Sequence, residues 1–159
     1  GILSSKLSDN EKIAKLKIIA ENSVDIDGIG LYTLGKHRKT LTDEQKIEYK
    51  KLFKEYFLKS FSGRLVVYSD AKIAVLSEEV KNEKYTIVYS KLIGSTDRPE
   101  VKIDWRVYTK NPEKPLIRDL VIEGLSLART QKEEFNSVIE NSGGDISALF
   151  SNLRKFLEK

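Results

Sequence analysis

Asp119-Leu120-Val121-Ile122-Glu123-Gly124-Leu125-Ser126-Leu127 and the run before it, Val101-Lys102-Ile103-Asp104-Trp105-Arg106-Val107-Tyr108, decide the fold of this chain. Both read as β-strands. The earlier run alternates with period 2, which puts Val101, Ile103, Trp105 and Val107 on one face and Lys102, Asp104 and Arg106 on the other. Thr109 to Pro115 has the turn chemistry of a hairpin loop. A hairpin centred near Pro112 sets Arg106 opposite Asp119, Lys102 opposite Glu123, Ile103 opposite Ile122 and Trp105 opposite Leu120. That register joins opposite charges on one face and large apolar groups on the other. Gly124 lets the chain turn before a helical pattern begins at Ser126.

Working outward, the C-terminal side carries two helices. One runs from about Ser126 to Asn141 with Leu127, Phe135, Val138 and Ile139 inward. Ser142-Gly143-Gly144 breaks it, and Asp145 is the expected N-cap of a last helix bearing Ile146, Leu149, Phe150, Leu153, Phe156 and Leu157. On the N-terminal side, Lys72–Leu76 and Tyr85–Leu92 read as strands separated by a charged turn, Ser77 to Lys84. A four-stranded antiparallel meander results. Before it, Thr42-x-x-Gln45 is a capping box that opens the longest helix, reaching Val66 or Val67. Its stripe is Ile47, Tyr49, Leu52, Phe53, Tyr56, Phe57, Phe61 and Leu65, the pattern of a helix packed on a sheet or of a ligand wall. Ser8-x-x-Glu11 opens an earlier helix through about Glu21, with Ile13, Leu16, Ile19 and Ala20 apolar. Ile26, Ile29, Leu31 and Leu34 mark a short helix weakened by two glycines and ended by Gly35. The expected class is α+β: N-terminal helices, a four-stranded meander and two C-terminal helices, with an apolar cavity between sheet and helices. The 159 residues make one domain, 1–159.

Composition narrows the function classes. With 40% hydrophobic and 33% charged residues the chain is an ordinary globular one, and no window approaches the ~20 apolar residues of a membrane span. Gly1-Ile2-Leu3-Ser4 is not a signal peptide. The absence of cysteine excludes disulfides, thiolate metal sites and thiol catalysis. The net charge of +4 gives a mildly basic surface suited to anionic partners, phospholipid headgroups included.

No catalytic or metal constellation emerges. The single histidine, His37, lies in the basic cluster Lys36-His37-Arg38-Lys39, reads as a surface residue and has no second histidine to share a metal. Gly28, Gly30 and Gly35 lack dinucleotide-loop spacing. Asp119 and Glu123 fit an acid/base pair, but with Arg106 and Lys102 opposite they read better as an ion-pair ladder on a solvated face. Aromatics lie on apolar stripes instead of interleaving with exposed cations, so a nucleic-acid partner is not expected.

Three blocks carry a family resemblance. They are Val24-Asp25 through Leu34-Gly35-Lys36 with Leu41-Thr42-Asp43-Glu44-Gln45 and Phe53-x-x-Tyr56-Phe57; then Val101-x-Ile103-Asp104-Trp105-Arg106-Val107; and Asp119 to Leu127 with Phe135 and Gly143-Gly144. In order and spacing they resemble the MlaC family, periplasmic phospholipid-binding proteins also called toluene-tolerance auxiliary components of an ABC transporter. The chain departs from it at Pro115 and Arg118, where members usually have Trp and Tyr. It also shows only Ile2-Leu3-Ser4 of a further N-terminal helix, so a trimmed mature chain is expected.

The resemblance implies a monomeric periplasmic carrier, not an enzyme. It would shuttle phospholipid between an outer-membrane lipoprotein complex and an inner-membrane ABC transporter complex to maintain outer-membrane lipid asymmetry. Phospholipid is then cargo, and no cofactor is implied. Each acyl CH₂ costs about 0.8 kcal/mol in water, so such a carrier needs an apolar cavity, with the headgroup at its mouth near basic residues. The expected tail contacts are Ile103, Trp105, Leu120 and Ile122 from the sheet and Ile29, Leu34, Phe53, Tyr56 and Phe57 from the helices. Lys36 to Lys39 reads first as a solvated loop, with an electrostatic docking patch as the alternative. The rival readings are a small enzyme on a cone-shaped α+β fold and a lipid-free transporter adaptor.

Overall fold

A computed structural model describes residues 9–66, 72–94 and 99–159. Its helices are α1 (Asp9–Ser23), α2 (Ile26–Leu34), α3 (Asp43–Val66), α4 (Leu127–Glu140) and α5 (Ser147–Leu157). A short 3₁₀ helix, Gly35–Thr40, follows α2. The strands are β1 (Ile73–Val80), β2 (Tyr85–Leu92), β3 (Val101–Tyr108), β4 (Leu116–Ile122) and the two-residue β5 (Leu125–Ser126). They form one antiparallel sheet in the order β1-β2-β3-β4-β5. The fold is α+β as expected, with five strands instead of four. The extra strand arises because Glu123 and Gly124 both take positive φ, 49° and 82°, and close a tight hairpin between β4 and β5.

Local chemistry accounts for the helix starts. The capping box at α3 is reciprocal: Thr42 N–H donates to Gln45 Oε1 at 2.9 Å and Gln45 N–H to Thr42 Oγ1 at 3.1 Å. Ser126 caps α4 by accepting from Arg129 N–H at 3.1 Å. Asp145, the expected N-cap of α5, stands one residue before the actual N-cap, Ile146, and its side chain accepts from Ser147 N–H at 3.0 Å. Ser8, of the first capping box, lies outside the described residues. The α2 glycines have positive uses. A Cβ on Gly30 would stand 2.7 Å from the Phe53 ring, so Gly30 lets α2 lie directly on α3.

The register of β3 against β4 is the expected one: Ile103 pairs with Ile122, Trp105 with Leu120 and Arg106 with Asp119. Beyond Arg106 the ladder shifts, and Arg118 becomes the extra residue of a bulge. β1 extends to Val80, four residues past the expected end, and a second irregularity falls between Val75 and Ser77. The turn is therefore Lys81 to Lys84, where the Asn82 side chain accepts from Lys84 N–H (2.8 Å) and Tyr85 N–H (3.0 Å). Ser77, Glu78 and Glu79 are exposed, so this outermost strand can carry charges that mimic a turn in sequence.

The core differs from the simple picture of a helix laid on a sheet. α3 packs on α1, α2 and α5, and the sheet meets the helices chiefly through β4, against α1, α2 and α4. Leu34, Tyr49, Phe53, Ile139, Leu149 and Leu153 are almost completely buried within the helical body. Tyr49 and Phe53 stack at 5.8 Å, and Phe53 meets Phe135 edge-on at 6.3 Å. The buried Tyr49 hydroxyl is satisfied by Thr33 Oγ1 at 2.8 Å, and Thr33 in turn donates to Gly30 O. Burial raises the Tyr49 pKa, so this phenol is a neutral structural group. Ile19 and Ile47, expected on inward stripes, are exposed, as is Leu31. The inward face of α2 is instead Ile26, Gly30, Thr33 and Leu34.

Candidate functional site

Between β4 and the helices lies an apolar cavity of about 90 Å³. α3 supplies its longest wall through Phe53, Tyr56, Phe57, Ser60 and Phe61, spaced three and four apart on one helical face. β4 contributes Ile117, Asp119 and Leu120, α2 contributes Ile29, and Val24 closes the end where α1 passes into α2. Leu127, Ala128 and Gln131 face it from α4. α3 and α4 are bridged across the cavity by side chains. Tyr56 O–H donates to Gln131 Oε1 at 2.9 Å, and the Tyr56 and Phe135 rings lie 5.6 Å apart. Phe57 and Phe61 stack at 5.3 Å along the same wall.

Of the nine expected contacts, Ile29, Phe53, Tyr56, Phe57 and Leu120 line this cavity. Leu34 does not; it is fully buried in the helical core behind α2. Ile103, Trp105 and Ile122 share the sheet face of Leu120 but stand farther along it, outside the lining. There the indole N–H of Trp105 donates to Ser90 Oγ at 2.8 Å, and that hydroxyl donates to Ile103 O at 2.8 Å. The expected contacts did not include Val24, Ser60, Phe61, Ile117, Asp119, Leu127, Ala128 and Gln131, which also line the cavity. The four-residue spacing of Leu127 and Gln131 on a helix was an available signal.

The expected ion-pair ladder is not formed. No ion pair joins Arg106 to Asp119 or Lys102 to Glu123 among the described residues. Asp119 turns its carboxylate to the start of α4: Oδ1 accepts from Leu120 N–H (2.8 Å) and Ala128 N–H (3.0 Å), and Oδ2 accepts from the Ser126 hydroxyl. It therefore anchors the positive end of α4 to the strand, with both of its oxygens accepting there. Glu123 accepts from the Lys102 backbone N–H at 2.6 Å, with the Glu123 N–H returned to Lys102 O at 2.9 Å. The charges opposite one another in register are thus spent on backbone donors. Arg106 lies over the Tyr85 ring at 4.5 Å instead.

His37 is half-buried between the exposed Lys36 and Arg38, and its Nε2 is enclosed with no hydrogen-bond partner among the described residues. In the basic cluster, Lys36 reaches Glu140 at 3.7 Å. Among the described residues no group of His, Asp and Glu side chains is arranged to hold a metal, and no helix is long and apolar enough to cross a membrane.

The fold and this lining define a small α+β protein with an apolar cavity at the seam between its sheet and its helices. The MlaC protein family matches residues 2–155, and the chain belongs to that family. Among solved structures it is similar to a phospholipid-binding protein from Ralstonia solanacearum, determined in complex with a phospholipid. The TM-score is 0.75 at 21% identity, over 94% of this chain and 84% of that one. That likeness shows the shared fold. No curated protein matches the chain.

Proposed function

We propose that this protein is a phospholipid carrier whose cavity between β4, α2, α3 and α4 takes the acyl tails. The observation that carries the reading is the cavity wall: a continuous run of Ile29, Phe53, Tyr56, Phe57, Phe61 and Leu120, whose one carboxylate, Asp119, is occupied in capping a helix. Such a wall suits the transfer of hydrocarbon from water, and its polar groups are few: Ser60, the Tyr56 hydroxyl bonded to Gln131, and the engaged Asp119. MlaC family membership supports the same reading. On it, the 1–159 domain acts as a monomer in the periplasm, between an outer-membrane lipoprotein complex and an inner-membrane ABC transporter complex. Its work is to maintain outer-membrane lipid asymmetry. The phospholipid is cargo, and the protein works without a cofactor.

The size of the cavity has a mechanical consequence for this reading. At about 90 Å³ it is well below the roughly 300–1,000 Å³ that drug-sized ligands occupy, and a two-tailed lipid is larger still. Loading then requires α3 and α4 to part. The Tyr56–Gln131 hydrogen bond and the Phe53 and Tyr56 contacts with Phe135 are the bridges that give way. These are side-chain bridges, and opening them leaves the helix backbones intact. Ile103, Trp105 and Ile122 lie next along the sheet face and become tail contacts once the cavity lengthens in that direction.

Native mass spectrometry of the freshly purified protein tests the reading, with bound phospholipid as the expected result. Phe57→Asp places a carboxylate in the apolar wall and should abolish co-purifying lipid. A thermal melt run alongside separates lost binding from lost folding. A folded Phe57→Asp protein that keeps its lipid would sink the cavity assignment. A wild-type protein that neither carries nor takes up lipid would favour the lipid-free adaptor.

A further inference from the structure

A second recess adjoins the cavity. It is a cleft of about 620 Å³ between α2, the outer face of the sheet and the start of α4. Ile29, Asp119 and Ala128 line both spaces, so the apolar cavity and this cleft are separated only by the edge of β4. The cleft differs in chemistry: Arg106, Arg118 and Arg129 border it together with Tyr85 and Tyr32.

Arg118 is held in place by its surroundings. Its Nε donates to Asp25 Oδ2 at 2.8 Å, one terminal nitrogen donates to the Tyr85 hydroxyl at 2.6 Å, and the guanidinium lies 4.0 Å from the Tyr108 ring centroid. The β4 bulge is what puts it there, as the residue left without a partner between the Arg106–Asp119 and Val107–Ile117 pairs. Arg106 and Arg118 both lie over the ring of Tyr85, at 4.5 and 5.7 Å. A guanidinium carries five N–H donors. Arg118 commits two of them to protein acceptors, and the Arg106 guanidinium makes no hydrogen bond or ion pair among the described residues.

Asp25 and Asp119, at the cleft, are already engaged, whereas Asp104, two residues before Arg106 on the same sheet face and opposite Val121, keeps Oδ1 buried with no hydrogen-bond partner among the described residues. Asp25 is taken by Arg118 and by Gly28 N–H, and Asp119 by the backbone and hydroxyl donors at α4. Arg129 is paired with Glu133 at the surface, at 3.4 Å.

We propose that this cleft is a phosphate site in which Arg106 and Arg118 bind the phosphate of a lipid whose tails occupy the adjoining cavity. Two planar forks around one space suit a tetrahedral anion with several acceptor oxygens; a single fork would satisfy a carboxylate. The apolar cavity on one side of β4 and the cationic cleft on the other together match an amphiphile. This inference rests on the carrier reading for the lipid, whereas the phosphate chemistry is common to a headgroup and to free phosphate.

Amide NMR titration of the full chain tests it with three probes: dihexanoyl phosphatidic acid, dihexanoylglycerol and inorganic phosphate. The phosphatidic acid should move the Gly28, Arg106 and Arg118 amides and bind about tenfold more tightly than the phosphate-free glyceride. Arg106→Gln, which breaks no ion pair and should fold normally, should erase that preference while leaving glyceride binding unchanged. Arg118→Gln should act in the same direction.

Equal affinity for both lipids, with shifts at Phe57 and Leu120 but none in the cleft, would overturn the phosphate site and leave the carrier reading standing. Persistence of the preference in folded Arg106→Gln would overturn it as well. Cleft shifts with inorganic phosphate, and binding of neither lipid, would uphold the anion site with a soluble source and remove the carrier reading. Silence in the cleft with all three probes overturns the proposal.

Discussion

The helical body and the far edge of the sheet are built on different terms. In the helical body Leu34, Tyr49, Phe53, Ile139 and Leu149 are at most 2% exposed, and even the polar Thr33 and Tyr49 hydroxyls satisfy each other. On β1, Val75 is 69% exposed and Val80 is 70% exposed. Stabilising burial is thus concentrated among the helices, and the sheet joins them through one strand. β4 carries that junction. Asp25 N–H donates to Ile117 O at 2.9 Å, Arg118 pairs with Asp25 at 2.8 Å, and Asp119 holds Ala128 N–H at 3.0 Å. The cavity and the cationic cleft flank this strand. The cavity lies where this tightly packed body meets the lightly attached sheet, so parting α3 from α4 to load it would break the buried Phe53–Phe135 contact of the core.

The largest test of that contrast removes the ring that belongs to both core and cavity wall. Phe53→Ala should cost about 3–5 kcal/mol in urea unfolding, whereas Val75→Ser on β1 should stay within about 0.5 kcal/mol. Comparable losses would break the comparison.

A smaller effect sharpens it at the contact between α2 and α3. Gly30→Ala gains helix propensity of about 1 kcal/mol, but its methyl meets the buried Phe53 ring, where overpacking typically costs about 1–3 kcal/mol. The expected net result is a lower urea midpoint. A higher midpoint would show that α2 is free to draw back from α3.

The smallest effect concerns the exposed start of α5. The Asp145 carboxyl is held below its ordinary value of 3.8 by hydrogen bonds from the Ser147 hydroxyl and N–H. A depressed folded-state pKa adds stability that is complete above the ordinary value and is lost as pH falls through the lower folded value. Asp145→Asn should therefore flatten the pH dependence of the urea midpoint below about pH 4, with little change at neutral pH. An unaltered acid profile would remove Asp145 from the account.

The β3–β4 register was legible because two independent period-2 patterns agree on it, and a slip of one residue would invert both faces. The α3 start was legible because Thr42 and Gln45 sit at capping-box spacing. The length of β1 was not, because Ser77-Glu78-Glu79 has the composition of a turn and only its position at the sheet edge makes it a strand. Among the candidate contacts, the α3 residues were readable from helical spacing and Leu120 from strand alternation. Leu34 misled because a buried apolar residue looks the same in sequence whether it faces a cavity or fills a core. The Arg106–Asp119 pair misled in another way. Register brought the two together, but the N–H groups at the start of α4 took the carboxylate.

By itself the sequence determined the class of fold, the capping of α3 and the pairing of β3 with β4, because these depend on periodicity and neighbouring residues. It also supplied the apolar stripe of α3 that forms the cavity wall. Tertiary structure alone decided that β4 is the junction, that its bulge presents Arg118 beside Arg106, and that Asp119 anchors a helix. Those outcomes depend on which distant donors and rings come within hydrogen-bonding or stacking distance of a side chain, and local spacing carries no record of such encounters.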